Sequence, residues 1–209
     1  MEARSRMVDE QLRRRNIRDE RVLAAFERVP RHEFVPIESR AYAYDDCPVP
    51  IGFEQTVSQP YVVALMAEAL ELRGGERVLD VGAGSGYAAA ILSCLAREVH
   101  AIERIPELAR TAAERLARLG YANVHVHEGD GALGWPAAAP FDAIAVAAAA
   151  PRVPGPLYAQ LAVGGRLVAP VGDARGQHLA YIVRRADDRY DEHDLGFVRF
   201  VPLVTASQE

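Results

Sequence analysis

The pattern of apolar and polar positions divides the chain near residue 76. Before it, apolar residues recur at helical spacing. Met7, Val8 and Leu12 share one side of an otherwise charged segment, residues 1–15. Val22, Leu23, Phe26 and Val29 repeat that spacing behind Asp19, a residue suited to cap a helix, and Pro30 stops the run. Residues 32–52 show no period; Tyr42, Tyr44, Pro48 and Pro50 predict an ordered loop there. Ser58 then stands at a capping position with Pro60 in the first helical turn. Val62, Leu65, Met66 and Ala69 make an apolar stripe that ends at Leu70.

After Glu76 the period changes. Short Val/Ile-rich runs, apolar on both faces as a buried parallel sheet requires, alternate with helical stretches. The pattern predicts strands at 77–81, 99–102, 124–127 and 143–146, with helices at 87–96 and 106–119. Beyond Gly164-Gly165 it predicts strands at 166–170, 178–184 and 197–204. The last two are separated only by a polar turn, 187–194, too short for a crossover helix, so the sheet is expected to finish antiparallel. The expected fold is one doubly wound α/β domain over 1–209. It has a mostly parallel seven-stranded sheet (76–209), antiparallel C-terminal strands and an N-terminal helical extension with its loop (1–75).

Composition narrows the function by exclusion. With 24 basic and 29 acidic residues the formal charge is -5, which argues against a nucleic-acid binder. Every basic residue is arginine, so lysine Schiff-base chemistry is excluded. Cys47 and Cys94 share no metal or redox spacing and point to a reducing compartment. There is no membrane-spanning apolar run and no signal-peptide pattern. A cytoplasmic protein without membrane contact is expected.

Chemistry concentrates at the predicted strand ends. Residues 78–87 read Val-Leu-Asp-Val-Gly-Ala-Gly-Ser-Gly-Tyr: a strand, a turn and a helix start. Asp80 closes the strand, and Gly82, Gly84 and Gly86 leave room for a ligand against backbone. The third glycine of the dinucleotide pattern GxGxxG would fall on Tyr87. A nucleoside without a pyrophosphate therefore fits better than NAD, and S-adenosylmethionine is the candidate. Glu103, one unit later, is placed to accept from two ribose hydroxyls, or to cap the helix that follows. Asp130, in Gly129-Asp130-Gly131, is free to meet an adenine amine, or serves as a turn residue. Asp142 reads as structural and Trp135 as packing. His125 and His127 share a strand face, but no third ligand clusters with them, so no metal is expected. The segment 55–61, Gln-Thr-Val-Ser-Gln-Pro-Tyr, places hydroxyls and amides ahead of a helix start, a setting that suits an anion or simple capping by Ser58.

These segments carry a family resemblance. Gln55 to Tyr61, Val78 to Tyr87, Ile102-Glu103-Arg104, Gly129-Asp130-Gly131, residues 139–144 and 160–172, and the ending Phe200-Val201-Pro202-Leu203-Val204 together resemble the protein-L-isoaspartate (D-aspartate) O-methyltransferase family over essentially the full length. The glycine core alone is common to class I methyltransferases, whose fold is Rossmann-like; the Thr-Val-Ser-Gln-Pro segment and the Val-Pro-Leu ending are more specific. The resemblance implies methyl transfer from S-adenosyl-L-methionine, leaving S-adenosyl-L-homocysteine, to the α-carboxylate of isoaspartyl residues in damaged proteins and peptides, by a monomer.

It further implies Ser58 as the catalytic residue, with Gln55, Thr56, Val57, Asp80, Gly82, Gly84, Gly86, Glu103, Asp130 and Gly131 around the cofactor. Thr56, Val57, Ser58, Gln59, Leu203 and Val204 are implied around the substrate. Two positions depart from the family: Glu54 stands where bacterial members commonly have glycine, and Ala147 where many have threonine. The alternatives are a peptide-tailoring aspartate methyltransferase of the same family, which the few residues after Val204 argue against, a small-molecule or RNA methyltransferase, and an idle cofactor-binding module.

Overall fold

The computed structural model describes residues 2–186 and 188–205. Met1 and Asp187, which bound the predicted first helix and polar turn, lie outside them. The first helix, α1 (Glu2–Met7), continues as a wide turn through Val8–Leu12 and a tight one at Arg13–Arg15, and Asn16 ends it in the left-handed region at φ 69°. Met7, Val8 and Leu12 are buried together as their spacing predicts. In α2 (Glu20–Arg28) the Asp19 carboxylate accepts from Arg21 N–H at 2.8 Å, the expected cap, and Val22, Leu23 and Phe26 face inward.

The segment expected to be loop contains a hairpin, β1 (Val49–Gly52) against β2 (Gln55–Val57). Its turn places Phe53 at φ 52° and Glu54 at φ 58°, left-handed values that side chains disfavour. α3 (Pro60–Ala69) follows, and its deepest residues are Val63, Ala64, Met66 and Ala67; Val62 and Leu65, placed in the stripe by spacing, are only half-buried. Aromatic edges fasten this layer to the core, since Phe26 and Phe34 pack on Tyr87 with ring centroids 6.1 and 5.6 Å apart.

From residue 77 the chain winds β3 (Arg77–Val81), α4 (Tyr87–Ser93), β4 (Glu98–Glu103), α5 (Pro106–Arg118), β5 (Val124–Glu128), β6 (Phe141–Val146), α6 (Gly155–Gln160), β7 (Leu161–Asp173), β8 (Gly176–Ala186) and β9 (Arg189–Val198). The seven-stranded sheet has the order β5-β4-β3-β6-β7-β8-β9. Its first five strands are parallel, and β8 and β9 are antiparallel. Val78, Leu79, Asp80 and Val81 of the central strand are all buried, because helices cover both faces. Winding reverses between β3 and β6, so the carboxyl ends of these two strands frame the crevice where α/β sheets bind ligands.

The predicted last strand is corrected. The polar stretch read as a turn is strand β9, and 199–204 is not strand. As an edge strand it pairs on one side only, needs no apolar alternation, and its Asp191, Glu192 and Asp194 guard the open edge. The tail that follows is instead fixed across the crevice: Ala149 N–H donates to Val201 O at 2.8 Å and Leu203 N–H to Ala149 O at 2.7 Å.

Candidate functional site

A cavity opens at the carboxyl ends of β3 and β4. Gln55, Thr56, Val57, Ser58, Gly82, Gly84, Glu103, Gly131, Leu203 and Val204 line it, which brings together ten predicted site residues from five separated segments. The floor is the glycine turn. Gly82 and Ala83 N–H both donate to Ile102 O, at 2.9 and 3.0 Å, so the turn is tied to the end of β4. Gly84 N–H donates to Glu103 Oε2 at 2.7 Å. A Cβ on Gly131 would lie 2.5 Å from Val81 Cγ1, so only glycine lets that wall approach. The roof is the hairpin, whose Ile51 Cδ1 would be 3.4 Å from a Cβ on Gly84.

Glu103 does not cap α5; the cap position is Ile105 and carries no side-chain hydrogen bond. Its oxygens accept from Gly84 and, at 2.9 Å, Ile105 N–H, yet a carboxylate has about four acceptor sites, so two remain for a ribose diol. Asp80 is the anomaly of the site. It is fully buried, neither oxygen has a hydrogen-bond partner, and it borders a small inner cavity shared with Ser58 and Ala147. Burial first, and the Glu103 charge second, push its carboxyl up to about 7. An orphaned acid of this kind fits a cationic donor, and the glycine cradle with Glu103 fits a nucleoside.

Ser58 is not a helix cap: Gln59 holds that position and no side chain caps α3. It lines the glycine-floored cavity, the inner cavity of Asp80 and a cleft of about 570 Å³ that also contains Gln59. Gln59 additionally donates to Asp46 Oδ2 at 2.8 Å.

Two predicted residues are placed elsewhere. Gly86 (φ 89°) starts α4, and a Cβ there would meet Leu116 of α5 at 3.0 Å, so it serves helix packing and not the cavity. Asp130 caps the turn Gly131–Leu133 by accepting from Ala132 N–H at 2.9 Å and is not part of the cavity wall. Asp142 is structural, as predicted, accepting from Arg77 N–H at 2.8 Å. Of the family departures, Ala147 lies in the wall, while Glu54 is exposed at the hairpin tip and outside both the cavity and the cleft.

The wall also uses Arg104, which the Ile102-Glu103-Arg104 motif contained without a site role, and Ile105 and Ala148, which no motif marked; they follow the ends of β4 and β6, the one available signal.

His125 and His127 do gain neighbours that spacing could not show. His100 Nδ1 lies 3.0 Å from His127 Nε2, and Glu98 Oε1 lies 3.4 Å from His100 Nε2 and 3.5 Å from His125 Nε2. Among the described residues, however, no three such groups are placed to hold a metal ion. Trp135 stacks on His127 with ring centroids 4.0 Å apart, the packing role expected.

A family model described as protein-L-isoaspartate(D-aspartate) O-methyltransferase matches residues 2–208. The chain is 61% identical over 202 residues to protein-L-isoaspartate O-methyltransferase 2 of Marinobacter nauticus, covering 96% of this chain and 92% of the relative. It is 55% identical over 201 residues to the protein-L-isoaspartate O-methyltransferase of Rhodopseudomonas palustris, covering 96% and 92%. Among solved structures it resembles a protein-L-isoaspartate O-methyltransferase with TM-score 0.84 and 30% identity, covering 95% of this chain and 65% of that longer one. It also resembles the Plasmodium falciparum member, in complex with S-adenosyl-L-homocysteine, with TM-score 0.82 and 26% identity, covering 96% and 98%.

Proposed function

The chain belongs to the protein-L-isoaspartate (D-aspartate) O-methyltransferase family, and we infer that it methylates the free α-carboxylate of L-isoaspartyl residues in damaged proteins and peptides. The observation that carries the reading is Ser58, which borders the cavity, the cleft and the Asp80 chamber alike and makes no side-chain hydrogen bond among the described residues. When bound, S-adenosyl-L-methionine supplies an electrophilic methyl group on a cationic sulfur. Gly82, Gly84 and Gly131 would hold it against backbone, Glu103 would accept from its ribose, and Asp80 would balance its positive charge.

The acceptor needs no general base, because a carboxylate titrating near ~4 is already ionised at neutral pH. The residues therefore act by position. Ser58 donates a hydrogen bond to one carboxylate oxygen and directs the other toward the cavity; such alignment supplies about 7–11 kcal/mol in favourable cases. A neutral hydroxyl suits a reaction that neutralises charge, since a cation here would stabilise the ionised acceptor more than the transition state. The hairpin roof and the tail at Leu203 and Val204 exclude water. The neighbouring backbone nitrogen attacks the ester carbonyl and loses its proton while methoxide departs as methanol, far more readily than oxide would leave a carboxylate; the succinimide that closes hydrolyses in part to normal aspartate. We read the protein as a monomer of the cytoplasm, and the exposed free thiol of Cys47 is in keeping with a reducing compartment.

The test is labelled methyl transfer to an isoaspartyl peptide beside its normal aspartyl twin. Transfer is expected to the first only, and Ser58→Ala should abolish most of it while leaving calorimetric cofactor affinity intact. Equal transfer to both twins, or near-normal turnover by the variant, would overturn the assignment.

A further inference from the structure

Beside the cleft that holds Ser58 lies a second one, of about 740 Å³, on the other side of the tail that follows β9. The residues between them form a ridge, and Arg199 on that ridge borders both clefts. Its charge is uncompensated. Arg199 is exposed and makes no hydrogen bond or ion pair among the described residues.

The other charges along these walls cancel. Arg15, in the Ser58 cleft, bonds Asp46 Oδ2 at 2.6 Å and lies 3.5 Å over the Tyr61 ring. Arg175, in the second cleft, bonds Asp173 at 2.8 Å. Among the described residues, no carboxylate lines the Ser58 cleft. A chain of net charge -5 thus presents, among the described residues, a single unneutralised positive charge along the wall of the Ser58 cleft. The exposed acids of the last strand, Asp191, Glu192 and Asp194, lie upstream, paired opposite Val183, Ile182 and Ala180, away from Phe197 and Val198 at the cleft.

We propose that Arg199 is a specificity-determining residue that selects isoaspartyl segments with acidic flanking residues. The proposal rests on the reading that Ser58 receives the isoaspartyl carboxylate. A flexible polypeptide reaching Ser58 through its cleft must pass the ridge, and its neighbouring side chains then lie along one cleft or the other. A carboxylate there meets Arg199; a cation is repelled. Deamidation-prone segments carrying several acids would otherwise be disfavoured by an enzyme of this net charge, so one local cation at the mouth changes which substrates approach. Because the pair is solvent-exposed, each contact changes affinity by about two- to fivefold, and a Glu-for-Lys exchange in the substrate counts attraction and repulsion together.

The experiment compares isoaspartyl hexapeptides with Glu, Gln or Lys on both sides of the damaged residue, using the full chain, Arg199→Gln and Arg199→Glu. The wild type is expected to favour Glu over Lys flanks by about five- to tenfold in kcat/KM, carried in KM and shrinking in high salt. Arg199→Gln should level the preference and Arg199→Glu should invert it. Cofactor affinity by calorimetry and the melting temperature report that each variant is folded. A preference identical in all three proteins, or one confined to kcat, overturns the proposal. A wild type that methylates none of the peptides overturns the functional reading itself, so the two failures are distinguishable.

Discussion

Replacing Asp80 with Asn should stabilise the unliganded protein at alkaline pH while weakening cofactor binding. The acid is fully buried without a partner, and its carboxyl is raised from 3.8 to about 7 by burial and the charge of Glu103. Between those values the folded state binds more protons than the unfolded one. Its favourable contribution is therefore complete below 3.8 and is lost as pH rises through about 7. The whole shift corresponds to about 4 kcal/mol, of which about 2 kcal/mol falls between pH ~5.5 and pH ~8.5. Asn is of the same size and neutral throughout, and any cost of its own unpaired amide is independent of pH.

The variant-minus-wild-type stability should therefore grow by about 2 kcal/mol across that interval, or about 4–8 °C in melting temperature for a chain of this size. Denaturant unfolding at both pH values measures it. The same substitution removes the counter-charge for a cationic ligand, so calorimetric affinity for S-adenosylmethionine should fall at pH ~8, where the wild-type acid is ionised. A stability difference equal at the two pH values would show that Asp80 does not titrate in this range. Undiminished affinity would remove it from the cofactor site. A gain in stability with a loss of binding is the signature of an acid kept for function at the expense of the fold.

Glu103→Gln should raise the cofactor dissociation constant by about ten- to a hundredfold, since a charge-assisted hydrogen bond contributes about 1.5–3 kcal/mol; unchanged affinity in calorimetry would refute the ribose role. His127, lowered from 6.5 to about 4 by burial and by His100 and His125, binds fewer protons folded than unfolded between those values. Stability should accordingly fall as pH drops from ~6.5 toward ~4, by about 1–2 kcal/mol after discounting for partial exposure, and His127→Asn should flatten that slope in acid denaturation. Glu54→Gly should leave stability equal or raise it by up to about 1.5 kcal/mol. Relief of the left-handed turn, about 1–2 kcal/mol, exceeds the entropy that glycine loses, about 0.5–1 kcal/mol; clear destabilisation would refute the strain.

The most legible region was the one under the most physical constraint. Strand β3 must be apolar on both faces and the turn after it must admit a ligand, so Arg77 to Gly84 could be placed residue by residue. Glu103 and Gly131 followed because strand ends in a doubly wound sheet converge. What escaped was structure without a periodic signature. The hairpin 49–57 turns through Phe53 and Glu54, neither a usual residue for its left-handed turn, and Pro50 and Gly52 beside them suggest loop. Helix α6 has six residues, too few for a period to register. β9 was hidden by its polarity, because an edge strand needs no buried face. Gly86 and Asp130 carry the right residue types at the right spacing, but each is used locally, one against Leu116 and one as a turn cap. Motif spacing names candidates; which of them faces the ligand depends on contacts that only the folded chain defines.

The distribution of charge follows from a reaction that consumes charge. Methyl transfer from a cationic sulfur to a carboxylate turns two ions into two neutral groups, so ions fixed beside the transferring atom would stabilise the reactants and slow the step. In the proposed arrangement Glu103, at the end of β4, holds the ribose away from the transferring atom, whereas Asp80, as counter-charge of the sulfur, favours donor binding at some cost to the rate of transfer. Arg199, without an ion pair among the described residues, lies at the mouth, where by our proposal it selects which acceptors approach. Between them stands Ser58, uncharged and not spent on capping α3. The hairpin that leads into Ser58 sets Ile51 over Gly84, close enough that an added Cβ there would meet Ile51 Cδ1 at 3.4 Å, so the acceptor and donor sides adjoin at this point. Shortening that side chain, Ile51→Ala, should loosen both at once, raising KM for peptide and cofactor together, whereas a change in peptide KM alone would show that the roof and floor act independently.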